Sequence, residues 1–138
     1  MPNGVADSIV RPGHIALGLA EKMLVGITPA NFARKPRFET SAGIKVVDAN
    51  HPAFVFGHLA GYPQRLLTLC GLNAAAPAVV MPAHYADLFA AGKECRDDPE
   101  NTIYPSMDEI TERFFSAYRH TLEALTTLAK LKGLAGGS

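Results

Sequence analysis

Apolar residues recur at helical spacing in three long stretches of the chain, and the segments between them carry proline, glycine and polar turn residues. The first predicted helix runs from about Ala6 to Gly26, with Ile9, Ile15, Leu17, Leu19, Met23 and Leu24 as its apolar content. Pro12 interrupts it early. Proline removes a backbone donor and clashes one turn back, so the helix is expected either to kink there or to begin there. A long connection follows, with Pro29 and Pro36 and little period except GIKVV, which reads as a short extended edge. Loops of this length are often functional or partly mobile.

The second predicted helix has a sharp start. Asn50 or His51 can cap it, and Pro52 suits a first turn in which a missing donor is harmless. Val55, Leu59, Tyr62, Leu66 and Leu69 repeat at alternating spacings of four and three, the pattern of a buried seam. Pro63 implies a bend, and Gly71 ends the run. MPAHYADLFAAG predicts a short helix from near Pro82 to Gly92, and KECRDDPENTIYP a polar loop. The third helix opens with SMDE, where Ser106 and Glu109 have the capping-box spacing. Its seam is Met107, Ile110, Phe114, Ala117, Thr121, Ala124, Leu128 and Leu131, over roughly 40 Å at the helical rise. GLAGGS, residues 133–138, reads as a flexible tail. Three long helices and one short one predict a single all-α bundle domain over residues 1–138, with strand content near zero.

Composition narrows the function classes. The chain has 138 residues, 48% of them hydrophobic, enough for a real core without disulfides or metal staples. Thirteen basic and thirteen acidic residues cancel, and the only basic cluster is Arg34, Lys35 and Arg37, which argues against nucleic acid as a partner. The start, MPNGVADSIV, lacks a signal-peptide pattern, and no apolar run approaches the roughly 18 residues of a membrane span. The expectation is a cytoplasmic protein with no membrane partner. Cys70 and Cys95 lack metal-site or framework spacing and are expected to be reduced thiols. Cys95 is expected to be exposed among charged neighbours, with Arg96 or Lys93 as groups that would lower its pKa in the alternative reading. Asp97, Asp98 and Glu100 read as a solvated acidic loop without EF-hand spacing. No nucleophile elbow or phosphate-binding loop is present.

The residue with the most chemistry is His58, in NHPAFVFGHLAGYPQRLL. Three readings stand open. It is a partly buried imidazole bonded to Tyr62 or to a backbone carbonyl; or a metal ligand completed by another chain, by His14 or by His84; or a catalytic or binding group without metal. Tyr62, one turn further on, is placed to orient the ring. His51 is seven residues away, roughly 10.5 Å along a helix, too far to share one ion. His84 and His120 read as surface or helix-edge residues.

The order of a first helix, a long loop, a second helix carrying HPAFVFGHLAGYP and a long SMDE helix resembles the DinB superfamily, also described as DinB/YfiT-like, over about residues 6–132. GHLA is the most specific part. The resemblance implies a four-helix bundle, a divalent metal such as zinc or nickel held by three histidines, and in some members a thiol-dependent transferase or isomerase activity. His58 matches the first of those ligands. The chain departs from the pattern in lacking the last helix and its HxxxH pair: its histidines are at 14, 51, 58, 84 and 120. Either the gene product is C-terminally truncated or the bundle is completed in another way. Two functions follow as expectations. One is a metal-dependent enzyme on a small molecule, transferase-type with a thiol cosubstrate, with an incomplete metal site at His58. The other is a metal-free, noncatalytic bundle that binds a small apolar ligand or a protein partner. A homodimer is the expected cover for the groove that a missing helix leaves.

Overall fold

The computed structural model describes residues 4–136, and it is mainly helical. In chain order the elements are α1 (Gly4–Met23), β1 (Arg37–Thr40), β2 (Gly43–Val46), α2 (Pro52–Leu59), α3 (Tyr62–Leu69), α4 (His84–Phe89) and α5 (Met107–Gly136). At 30 residues, α5 is the organising element, about 45 Å long at the helical rise. Helices α1, α2 and α3 all pack on it.

Helix α1 does not begin at Pro12, which is exposed within it. It runs antiparallel to α5: Glu21 pairs with Arg119 at 3.2 Å, while His14 lies beside Glu123 and Thr126 further along. The close approach depends on Gly13, because a Cβ there would sit 2.5 Å from Leu122 Cδ2. Leu17 is buried in this contact, while Ile15, Leu19 and Met23 stay exposed.

The expectation of near-zero strand content fails over residues 37–46. Antiparallel β1 and β2 pair Arg37 with Val46 and Glu39 with Ile44, and the Thr40 hydroxyl donates to the Gly43 carbonyl at 2.7 Å across the turn. GIKVV is therefore extended as its composition suggests. Its partner, RFET, is too short and polar to signal a strand alone. The long connection is pinned at both sides of its buried Phe32 and Ala33: the Phe32 carbonyl accepts from Ala53 N–H and that of Ala33 from Asp98 N–H.

The second predicted helix is two helices. Pro63 has no N–H to offer the carbonyl of Leu59, four residues back, and its ring crowds that carbonyl, so the helix stops at Leu59 and restarts at Tyr62. The freed Leu59 carbonyl accepts the Tyr118 hydroxyl of α5 at 3.0 Å. The break also moves the buried face. Instead of the expected seam, Ala53, Phe56, Gly57, Ala60, Pro63 and Leu67 are buried, whereas Leu69 is 83% exposed and Tyr62 40%. Small residues at 53, 57 and 60 let α2 approach its neighbours closely.

In α5 the expected seam holds from Ile110 through Phe114 and Ala117 to Thr121, then passes to Leu122, Leu125 and Ala129. At 3.6 residues per turn, a strict alternation of three and four rotates around the helix, and the later stretch turns toward α1. Ser106 caps α5 by accepting from Glu109 N–H at 3.1 Å. The helix runs through Gly136, over part of the stretch read as a tail, and 137–138 lie outside the described residues. The main core is aromatic, with Phe56 edge-on to Phe114 at 4.8 Å and Phe89 stacked on Tyr104 at 5.6 Å. No helix among the described residues is long and apolar enough to cross a membrane.

Candidate functional site

His58 occupies the last turn of α2, just before the break that Pro63 causes. Its Nδ1 lies 2.7 Å from the Phe89 carbonyl oxygen at the end of α4, and its Nε2 lies 3.0 Å from the Tyr62 hydroxyl. A carbonyl only accepts, so Nδ1 carries the proton and, in the neutral ring, Nε2 accepts from the Tyr62 O–H. The ring is also stacked on Phe54, with planes 4° apart and centroids at 6.2 Å. The expected partly buried imidazole bonded to Tyr62 or a carbonyl is found with both bonds at once. The orienting role expected of Tyr62 has a contact to act through.

The pair stands at the edge of a cleft of about 290 Å³ between α2, α3 and α4. Gly57, Tyr62 and Arg65 form one side, and Met81, Ala86 and Phe89 belong to the other. Gly57 is required for the closeness of α2 to α4, since a Cβ there would lie 2.5 Å from the Phe89 ring. Arg65 lies over the Tyr62 ring, 5.4 Å from its centroid. Behind the ring of Tyr85, its hydroxyl donates to Glu109 Oε2 at 2.6 Å, and burial together with that carboxylate raises its pKa far above the ordinary phenol value. Tyr118 is pushed up to about 12, chiefly by burial, and so keeps its proton for the Leu59 carbonyl.

The remaining candidate ligands lie elsewhere. His14 is exposed on α1 beside α5, and His84 is exposed with its ring edge-on to Tyr85; neither lines the cleft. His51 is wholly buried at the start of α2, where Nδ1 accepts from Phe54 N–H at 3.1 Å and Nε2–H donates to the Arg96 carbonyl at 2.7 Å. Among the described residues no three His, Cys, Asp or Glu side chains gather as a metal site would require. One imidazole and a phenol do not fit a zinc or nickel ion within one chain.

The loop after α4 corrects two further expectations. Cys95 is buried, not exposed, and burial pushes its thiol pKa up despite nearby Lys35. The acidic run is not solvated as a unit: Asp98 is 2% exposed and accepts from the backbone N–H groups of Thr102, Ile103 and Tyr104. Burial alone would raise its pKa, but those amides outweigh it and hold it below the usual carboxylate range. Asp97 answers the basic cluster. It meets Arg34 at 3.0 Å, Arg37 at 2.9 Å and the Lys35 N–H at 2.9 Å, and these partners overcome desolvation and hold it down to about 2. Lys35 is also paired, with Asp48 at 2.9 Å.

Sequence reading missed Phe89, Arg65 and Tyr85 as neighbours of His58. The group that holds Nδ1 is a backbone carbonyl, which no side-chain pattern announces, and α4 is too short to display a periodicity that points at α2. No family model matches this chain, and no curated protein or solved structure matches it.

Proposed function

We propose that the cleft bordered by His58 binds a small, largely apolar molecule, and that the protein is a ligand-binding helical domain. The observation that carries this reading is the concavity itself: apolar walls from α2 and α4 with a few polar groups at one rim, the make-up of small-ligand pockets, at the lower end of their size range. The His58 and Tyr62 hydrogen bonds then serve to fix the rim. The test is amide-shift mapping with a panel of small apolar fragments on the wild type and on Ala86→Trp, which fills the cleft from an exposed lining position. Saturable shifts over residues 57–65 and 81–91 that vanish in Ala86→Trp are expected. A panel that leaves those amides unmoved refutes the reading.

The DinB-like, metal-dependent enzyme is the second reading, favoured by one observation. An imidazole whose Nδ1–H is anchored on a carbonyl is oriented as metal-binding histidines are, with Nε2 as the nitrogen that would meet the ion. It requires Tyr62 to leave Nε2 and a second chain to supply the other ligands. The homodimer belongs with it, supported by the exposed stripe of Ile15, Leu19 and Met23 along α1, at 61%, 55% and 67% exposure. Elemental analysis of wild type and His58→Ala, with mass by light scattering on the same samples, tests both. Stoichiometric zinc or nickel lost in the variant, in a dimer, supports this reading; metal-free monomer overturns it.

A further inference from the structure

The charge around the cleft points to a ligand class, an inference that rests on the cleft being a ligand site. Among the described residues no Asp or Glu lines it, whereas Arg65 does. None of the ion pairs among the described residues includes Arg65, although Arg34, Arg37, Arg113 and Arg119 each have a carboxylate partner. Glu109, bonded to the Tyr85 hydroxyl behind the lining, has Arg113 beside it at 3.7 Å. The guanidinium of Arg65 is held over the Tyr62 ring, and the ring is tied by its hydroxyl to His58 and thence to the Phe89 carbonyl. Such a chain restricts a side chain that would otherwise sweep through solvent, and a guanidinium restricted before binding loses less entropy when it captures an anion.

We propose that the cleft takes a small monocarboxylate with an apolar body. Arg65 receives the carboxylate through its planar fork, and the body, the size of an aromatic ring or a short alkyl chain, rests on Met81, Ala86 and Phe89. A single guanidinium with no second cation in the lining matches one carboxylate better than a phosphate dianion.

The experiment is a titration of the full chain with benzoate and hexanoate, each beside its neutral amide, followed by amide shifts. The carboxylates are expected to bind about tenfold more tightly than the amides, as one charge-assisted hydrogen-bond pair provides. In Arg65→Gln that preference of acid over amide disappears. Tyr62→Leu, which removes the ring beneath the guanidinium, reduces the preference without abolishing amide binding. Equal affinity for acid and amide, or a preference that survives Arg65→Gln, overturns the carboxylate assignment and leaves the cleft as a ligand site. If neither acids nor amides move residues 57–65 and 81–91, the ligand-site reading falls and takes this inference with it.

Discussion

The imidazole of His51 donates from Nε2 to the carbonyl oxygen of Arg96 at 2.7 Å, tying the first turn of α2 to the loop that follows α4. Its other nitrogen accepts the Phe54 N–H and caps the helix. His58, seven residues on, uses the opposite tautomer: Nδ1–H donates to the Phe89 carbonyl and Nε2 accepts from Tyr62. Two histidines on one short helix therefore hold α2 against the same neighbouring segment, one at each end. A proton added to His51 would set Nδ1–H against the Phe54 N–H with no acceptor between them.

Stability is accordingly expected to fall in mild acid through His51. Burial, the main cause, lowers its pKa below the ordinary 6.5 despite the Arg96 carbonyl, so the unfolded chain binds the proton more tightly than the folded one. The contribution is complete above about pH 6.5, and it is lost as pH falls, at no more than about 1.4 kcal/mol per pH unit, until the depressed folded value is passed. Urea midpoints at pH 7.5, 6 and 5 measure it. His51→Asn, which keeps a capping oxygen but cannot titrate, should flatten that dependence. His51→Ala should cost about 2–4 kcal/mol at pH 7.5, from the lost cap and a stranded carbonyl. A His51→Asn profile as steep as wild type would rule His51 out as the cause.

Asp98 governs a lower window. Its carboxylate organises the turn of residues 98–104 by accepting three amides, and Asn101 within that turn takes the left-handed conformation, φ 55°. Asp98→Asn offers one acceptor and places an amino group among donors. A loss of about 3 kcal/mol in denaturation midpoint analysis is expected. Because its folded pKa lies below the ordinary 3.8, the stability Asp98 supplies is present above that value and disappears as pH drops through the folded one. Wild type should therefore lose a second increment of stability below about pH 4 that Asp98→Asn lacks.

The two thiols should separate by reactivity. Cys95 is 7% exposed with its pKa raised by burial, whereas Cys70 is half-buried at the end of α3. An aromatic disulfide reagent at neutral pH is expected to titrate one thiol quickly in native protein and the second only on unfolding. Fast reaction of Cys95, located by peptide mapping of the modified chain, would contradict its placement in the core.

What the sequence made legible was local. Pro52, Ser106 and Gly71 mark helix ends because caps and left-handed turns are properties of a few adjacent residues, and Gly71 has φ 69° just past α3. The contact of His58 with Tyr62 was readable for the same reason: residues four apart on a helical path are neighbours even across the break at 60–61. Contacts between distant segments were not readable. Asp97 and Arg34 look like solvated charges until the loops that carry them fold together. The seam of the second helix was misplaced because Pro63 splits the helix and resets which face is buried. The β-hairpin was half visible, since its second strand is apolar and its first is not.

The glycine at the base of the cleft supplies the sharpest test of how α2 meets α4. A Cβ on Gly57 would lie 2.5 Å from the Phe89 ring, and Phe89 is 2% exposed, wedged against Phe54, Tyr85 and Tyr104. The ring has nowhere to retreat, so Gly57→Ala must push α4 outward, at a cost of about 1–3 kcal/mol despite the better helix propensity of alanine. The movement would carry the Phe89 carbonyl away from His58 and alter the amide shifts of Tyr62 and Arg65, which no simple loss of stability would do selectively. Gly18 in α1 is the control: it is exposed, nothing lies within 4 Å of a Cβ built on it, and alanine there should stabilise by about 1 kcal/mol. Thermal unfolding of the two variants should therefore shift in opposite directions. If Gly57→Ala melts above wild type, the close packing of α2 on Phe89 is wrong, and with it the geometry that holds His58.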